Sequence, residues 1–219
     1  MVDTLAPVYE RAIRHYASGT LLDLGCGKVP LFGVYKDLVT DTICVDWETR
    51  GDTSHLDYIV NMNEKIPLSD EQFDTVIATD VLEHVASPEH VFREVARLLR
   101  PGGKLIVGVP FLYWIHESPH DYYRYTEFSL AQLCSRASLS VVLLEPYGGA
   151  PEVVFDVIGK TLVFDKLGTY VICRCLSQVS ALIGDLFLRT RIGRRLSRAT
   201  ARTFPLGYCL VAAKDHVRT

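Results

Sequence analysis

Apolar positions along the chain fall into two kinds of pattern. Short, nearly solid runs stand at 20–24, 41–46, 56–61, 75–79, 104–109, 139–146 and 206–213, most of them bounded by Gly, Pro, Asp or Ser. Runs of this length, apolar on both faces, suit parallel strands covered above and below. Between them the spacing turns helical. Leu5, Val8, Tyr9, Ile13 and Tyr16 predict a helix over 4–17 with Gly19 as its stop. A second helix is expected over 31–39. Ser87-Pro88-Glu89 opens a third that runs to Arg100 on Val91, Val95, Leu98 and Leu99, and Thr126 caps a fourth over 127–137. Strands alternating with helices predict an α/β protein with a doubly wound parallel sheet.

The alternation breaks once. The last two strand patterns are separated by about 60 residues, so 150–204 is an insertion expected to be helical. It is rich in Val, Leu, Ile and Phe and must bury a face against the core, a second subunit or a bilayer surface. Residues 189–202 hold six arginines and no acid. Such a run could meet a phosphate-bearing substrate or anionic lipid headgroups, or be a solvated helix face, as most charge runs are. The chain, 1–219, is otherwise read as one domain with 150–204 as lid, interface or membrane-surface element.

Composition narrows the picture. At 219 residues and 48% hydrophobic content the chain can build a substantial core, and a net charge of −3 gives no case for nucleic-acid binding. Cys26, Cys44, Cys134, Cys173, Cys175 and Cys209 are scattered, without a paired zinc spacing, and read as reduced thiols of a cytoplasmic protein. Asp3 and Glu10 and the lack of a long apolar run argue against a signal peptide, and no run is long enough for a spanning helix.

The chemistry gathers after strand ends. Thr20-Leu-Leu-Asp-Leu-Gly-Cys-Gly27 is a buried strand followed by two glycines, a turn where a ligand can approach the main chain. Asp23 beside it would repel a pyrophosphate and suits a cation. Position 30 is Pro, so the Gly-x-Gly-x-x-Gly of dinucleotide binding is absent. The stretch resembles the Asp-x-Gly-x-Gly motif of class I S-adenosylmethionine-dependent methyltransferases. Ile66-Pro-Leu with Phe73-Asp74, Leu82-Glu-His84, and Leu99-Arg-Pro-Gly-Gly-Lys-Leu105 fit the same family, and the resemblance covers about 18–146 and the last strand.

That resemblance implies a seven-stranded Rossmann-like sheet whose final antiparallel strand lies between its two predecessors. It also implies S-adenosyl-L-methionine as cofactor, held by Asp23, Gly25, Gly27, Asp46, Trp47, Asn61 and Asp80. Asp46, at the end of the second strand, would accept the ribose hydroxyls, Trp47 cover the adenine and Asn61 accept from its amino group. Gly25→Arg is then expected to abolish cofactor binding and leave the chain soluble. Asp80, Glu83 and His84 share a face if a helix starts there. The functional reading takes His84 as a general base, or all three as a divalent-metal site; the alternative is that Asp80 and Glu83 cap the helix and favour its positive end, and no metal is assigned.

The stretch Pro110–Thr126 resembles the His…Pro-x-Asp-Tyr-x-Arg-Tyr-Thr segment of a bacterial methyltransferase subgroup. It crowds His116, Asp121 and Arg124 with Tyr113, Tyr122, Tyr123 and Tyr125. His116 and Asp121 are candidate catalytic groups, and Arg124 and the tyrosines candidate substrate contacts, although Asp121–Arg124 would serve equally as an internal ion pair. The expected reaction is methyl transfer to a small-molecule acceptor, an oxygen of a sugar-like or lipid-linked compound. The alternatives are a non-catalytic binding module on the same fold and an NAD-dependent oxidoreductase. Peripheral membrane contact or a homodimer through 150–204 completes the expectations.

Overall fold

The computed structural model describes residues 6–47, 54–163 and 170–215. Leu5 of the first predicted helix lies outside the described residues, as does the side chain of Cys173. The chain divides into a sheet unit, Ala6–Glu145 with Tyr208 onward, and a helical unit, Pro146–Gly207.

The sheet unit opens with α1 (Ala6–Tyr16) and β1 (Thr20–Leu24). A short α2 (Phe32–Tyr35) leads to β2 (Asp41–Asp46) and β3 (Tyr58–Ile59). Then come β4 (Phe73–Thr79), a 3-10 turn at Leu82–His84, α3 (Pro88–Leu98), β5 (Leu99–Pro110), α4 (Glu127–Arg136) and β6 (Leu139–Tyr147), with β7 (Gly207–Lys214) last. The strand order is β3-β2-β1-β4-β5-β7-β6, with the final strand between its two predecessors. β1, β2, β3, β4 and β5 pair in parallel. The chain therefore reverses direction across the sheet between β1 and β4, and ligands of open α/β sheets bind at such a switch point.

Period-two alternation sorts the two faces. Leu22, Leu24, Val76, Ala78, Leu105, Val107 and Leu210 share one cluster with Val91, Phe92 and Val95 of α3 and Leu130 and Leu133 of α4. The opposite face takes α1: a Cβ on Gly108 would stand 2.2 Å from the Tyr9 ring. Only glycine lets that ring lie on β5.

Two elements are shorter than their patterns suggest. The second helix stops at Tyr35 because the chain must return to pair beside β1, where the Thr40 amide donates to the Gly19 carbonyl (2.8 Å). β3 keeps only two residues at the exposed edge, since the Asp57 carboxylate takes the Cys44 amide (2.8 Å) in place of a ladder bond. β5 is longer: Arg100–Gly103 form a bulge, with Phe73 opposite Leu99 but Thr75 already opposite Lys104.

The helical unit holds α5 (Ala150–Val163), α6 (Tyr170–Arg189) and α7 (Arg191–Thr200). A Cβ on Gly184 would stand 2.8 Å from the Phe155 ring, so α5 and α6 cross at a small residue. Glu152 joins α5 to α7, accepting from Ser197 Oγ (2.6 Å). No helix among the described residues is long and apolar enough to cross a membrane.

Candidate functional site

At the carboxyl end of β1 the chain turns through Gly25 (φ +77°) and Gly27 (φ +54°). The amides of Gly25 and Cys26 donate to the Val45 carbonyl (2.8 and 3.1 Å), folding the turn over the end of β2. There Asp46 accepts from the Gly27 amide through Oδ2 and from the Trp47 amide through Oδ1, both at 2.7 Å. Among the described residues each oxygen has one partner and keeps a second lone pair. The two glycines differ. A Cβ on Gly25 would stand 2.4 Å from Val81 Cγ2, whereas one on Gly27 would meet nothing within 4 Å among the described residues. Gly25→Arg is thus no clean test of the turn, because it disturbs packing as well; Gly27 opens to where a ligand would lie.

The other predicted rim residues lie around this turn and at the ends of β3 and β4. The Trp47 ring meets the His120 ring edge-on (4.7 Å). Asn61 Oδ1 accepts from the Asn63 amide (3.1 Å), while its Nδ2 donates to Glu64 (2.8 Å). Asp80 is left-handed (φ +54°) and accepts from Tyr9 Oη (3.0 Å). Its surroundings are crowded although solvent reaches it. Desolvation raises its carboxyl to about 6, against the Tyr9 hydrogen bond and the nearby His84. Tyr9, and Tyr35, whose hydroxyl donates to Asp23 (2.8 Å), carried no signal in the sequence as partners of these acids.

Asp80 and Glu83 do not cap a helix. The chain beyond Asp80 makes a single 3-10 turn with no side-chain cap, and Glu83 points into the protein. It is fully buried, and neither carboxylate oxygen has a hydrogen-bond partner among the described residues. Burial, then the charge of Asp80, pushes its carboxyl up to about 8. Oε1 lies 3.8 Å from His84 Nε2 and 3.9 Å from His116 Nε2.

The segment after β5 is pinned onto that turn. The Tyr122 amide donates to the Glu83 carbonyl (2.8 Å), and Tyr125 Oη to the Leu82 carbonyl (2.8 Å). Tyr125 is buried in the core and is not a pocket wall; Tyr122 and Tyr123 are exposed. Arg124 is not free for substrate. Its five N–H groups meet five acceptors: Asp121 Oδ1 (2.5 Å) and Oδ2 (2.8 Å), and the carbonyls of Tyr113 (3.3 Å), Trp114 (2.8 Å) and Tyr123 (2.7 Å). Asp121 also accepts from the His116 amide (2.9 Å). The Arg124 hydrogen bond holds its carboxyl well below the usual range, which makes it a poor proton acceptor at neutral pH. Thr126 caps α4, accepting from the Ser129 amide (3.2 Å).

Residues 22–107, the strands and turns that build this rim, match the family described as Methyltransferase domain. The seven-stranded sheet and its order are those of the class I enzymes. The sheet unit has the class I methyltransferase α/β fold. A thiol S-methyltransferase (TMT1B) of Rattus norvegicus is 37% identical over 112 residues, 45% of this chain and 43% of that protein. A ubiquinone biosynthesis O-methyltransferase of Parvibaculum lavamentivorans is 26% identical over 141 residues, covering 52% and 56%. The chain thus spans about half the length of these relatives. Among solved structures, the 1,6-didemethyltoxoflavin-N1-methyltransferase of Burkholderia thailandensis, with 1,6-didemethyltoxoflavin and S-adenosylhomocysteine bound, superposes with a TM-score of 0.57. It is 15% identical and covers 98% of this chain and 80% of its own, a likeness of fold.

Within this sheet unit, Asp23 lies behind the glycine turn. Alternation along β1 puts it on the α2 side, buried, where it accepts from Tyr35 Oη (2.8 Å) with Cys44 and Asp46 nearby. Burial raises its carboxyl to about 6, the Tyr35 bond opposing and Asp46 adding to the rise. The unfolded chain ionises Asp23 near 3.8. The native state therefore binds the extra proton between about pH 4 and 6, and stability falls as pH rises through that window. By linkage the cost above pH 6 is on the order of 2–3 kcal/mol. Asp23→Asn keeps an acceptor for Tyr35 and removes the charge. We expect it to raise the urea midpoint at pH 7.5 and leave it nearly unchanged at pH 4. An equal effect at both pH values would mean that Asp23 ionises without penalty.

Proposed function

We propose that this chain is an S-adenosylmethionine-dependent methyltransferase acting on a small-molecule acceptor, an oxygen of a sugar-like or lipid-linked compound. The observation that carries the cofactor reading is the Gly25–Gly27 turn with Asp46 locked against it at the switch point of the sheet. The fit rests on chemistry. Open space in front of Gly27 admits a ligand to the main chain, and the spare lone pairs of Asp46 suit ribose hydroxyls. Trp47 supplies an aromatic face, 40% exposed, and Asp80 a carboxylate for a cationic group. Asn61 stands just past β3, but its Oδ1 already accepts from both the amide and the Nδ2 of Asn63 (3.1 and 3.3 Å), so it would have to give up one of these to accept from an adenine amino group. Bound S-adenosylmethionine would supply a methyl group already activated for transfer, so alignment provides much of the rate.

The chain's own residues would position the acceptor and take its proton. The Nδ1–H of His84 donates to the His120 carbonyl (2.6 Å), which leaves Nε2 as a base. His116 holds Nδ1 toward the Trp114 carbonyl (3.3 Å), and burial and then the neighbouring His84 lower its pKa, keeping it neutral and able to accept. Tyr113, Tyr122 and Tyr123 offer rings for a sugar face. Asp121 and Arg124 act by holding the loop. Calorimetric titration with S-adenosylhomocysteine, with NADH as control, tests the cofactor; an acceptor screen on sugar phosphates and lipid-linked sugars tests the rest. Micromolar binding of S-adenosylhomocysteine is expected. Binding of NADH alone would overturn the reading, and binding of neither would favour a non-catalytic module.

The helical unit supports a lipid-linked acceptor. Leu176, Val179, Ile183 and Leu186 form an exposed i, i+3, i+7, i+10 stripe on α6, and α7 exposes Ile192 with Arg191, Arg194, Arg195 and Arg198. Apolar and cationic groups together suit an anionic bilayer surface. Co-sedimentation with phosphatidylglycerol vesicles, weakened in Arg194→Glu/Arg195→Glu, is the expected result. Equal binding to phosphatidylcholine, or a dimer that masks the stripe, would exclude it.

A further inference from the structure

We propose that Glu83, His84 and His116 form a binding site for a first-row transition-metal dication, with Zn²⁺ the best match. One donor atom from each lies within 4.8 Å of the other two. The carboxylate comes from the turn after β4 and His116 from the loop after β5, 33 positions further on, so only the folded sheet brings them together.

Three observations point to a cation. The first is the carboxylate itself: a glutamate with 1% side-chain exposure and two oxygens without partners among the described residues is costly unless something charged lies against it. The second is how the imidazoles are held. His84 turns Nδ1 to the His120 carbonyl, and His116 turns Nδ1 to the Trp114 carbonyl and the Asp121 carboxylate (3.4 Å). Both rings therefore carry their proton on Nδ1 and present the Nε2 lone pair to Glu83, the tautomer that metal-ligating histidines adopt under such partners. Asp121, gripped by Arg124, completes a carboxylate–histidine arrangement behind the site. The third is distance. Zinc bonds of about 2.0–2.1 Å set tetrahedral donors about 3.4 Å apart. Oε1 stands 3.8 and 3.9 Å from the two Nε2 atoms, too far for hydrogen bonds and about half an ångström outside that spacing.

The donor set selects the ion. Two imidazoles and one carboxylate suit Zn²⁺ and its first-row neighbours, whereas Mg²⁺ and Ca²⁺ prefer all-oxygen shells. Three protein ligands leave a fourth position for water or, on the methyl-transfer reading, for an acceptor oxygen. With the ion bound the two Nε2 atoms are ligands and no longer bases, and the ion would instead lower the pKa of the oxygen group it holds. Metal binding itself does not rest on that reading. An ion here would also tie the loop after β5 to the sheet.

The test uses the whole chain, stripped with a chelator and titrated calorimetrically with Zn²⁺. Co²⁺ absorption reports coordination geometry, and S-adenosylhomocysteine binding is measured separately on the same samples. We expect one equivalent of Zn²⁺ bound at micromolar or tighter concentration, Co²⁺ bands of a low-coordinate site, and a rise in melting temperature with Zn²⁺. His116→Asn and His84→Asn should each weaken Zn²⁺ binding by at least about 100-fold and remove the thermal shift, with circular dichroism unchanged. His55, whose Nε2 lies 2.8 Å from the Gly27 carbonyl, is outside the cluster, and His55→Asn should leave Zn²⁺ binding as it is. Glu83→Gln is the harder variant because the site is buried, so the two histidine variants carry the decision. No Zn²⁺ binding by the stripped chain, binding unaltered in both histidine variants, or a preference for Mg²⁺ would each overturn the proposal. Failure of S-adenosylhomocysteine to bind while Zn²⁺ still binds would count against the methyl-transfer reading alone.

Discussion

Gly27→Arg is expected to weaken S-adenosylhomocysteine binding by at least about 100-fold, close to 3 kcal/mol, with little loss of fold. A Cβ at this position meets nothing within 4 Å among the described residues, so the new side chain points away from the core. The backbone is left-handed (φ +54°), which costs a residue other than glycine about 1–2 kcal/mol. For a chain of this size that lowers the melting temperature by only about 2–8 °C. The guanidinium would occupy the space before the turn and draw Asp46, which now accepts from the Gly27 amide, away from ribose hydroxyls. Calorimetry and thermal melting on one sample separate the two effects. Normal affinity in a folded variant would remove the glycine turn from the cofactor site.

Arg124→Met is expected to be the most damaging single change in the loop after β5. Asp121 has 2% side-chain exposure and Arg124 23%, and the guanidinium also ties three carbonyls. Removing one partner of such a pair costs about 3–5 kcal/mol, because the remaining charge is left buried. Arg124→Lys should fail almost as badly: an ammonium offers three donors where five acceptors wait. The pH dependence has a definite sign. With its folded pKa depressed, Asp121 contributes fully above the unfolded carboxylate range near 4, and the contribution is lost as pH falls below it. Urea unfolding at pH 7 and pH 3 checks both statements, and hydrogen exchange of the 113–125 amides localises the damage. A wild-type midpoint in Arg124→Met would show that the loop is held by something else.

The sequence by itself determined the architecture, since strands and their punctuation are local. The solid apolar runs at 20–24 and 41–46 became β1 and β2 with those bounds, because Gly19, Gly25 and the acid at 46 mark where the ladder must end. The strand order agreed with the family motifs, and the Pro-Gly-Gly block gave the bulge that starts β5. Asp46 was also legible, as an acid at the end of a strand next to a glycine turn.

Tertiary structure alone decided which charged groups are free. Asp23 looked like a ligand-facing charge, yet alternation along β1 and the arrival of Tyr35 bury it behind the turn. Arg124 looked available to substrate until loop closure brought its five acceptors around it. Asp80, Glu83 and His84 would share a face on a helix, but a left-handed residue and one 3-10 turn send Glu83 inward to meet His116. Periodicity reports which face a residue occupies on its own element. It carries no information about partners supplied by distant segments, and those partners set the charge and reactivity of every group at this site.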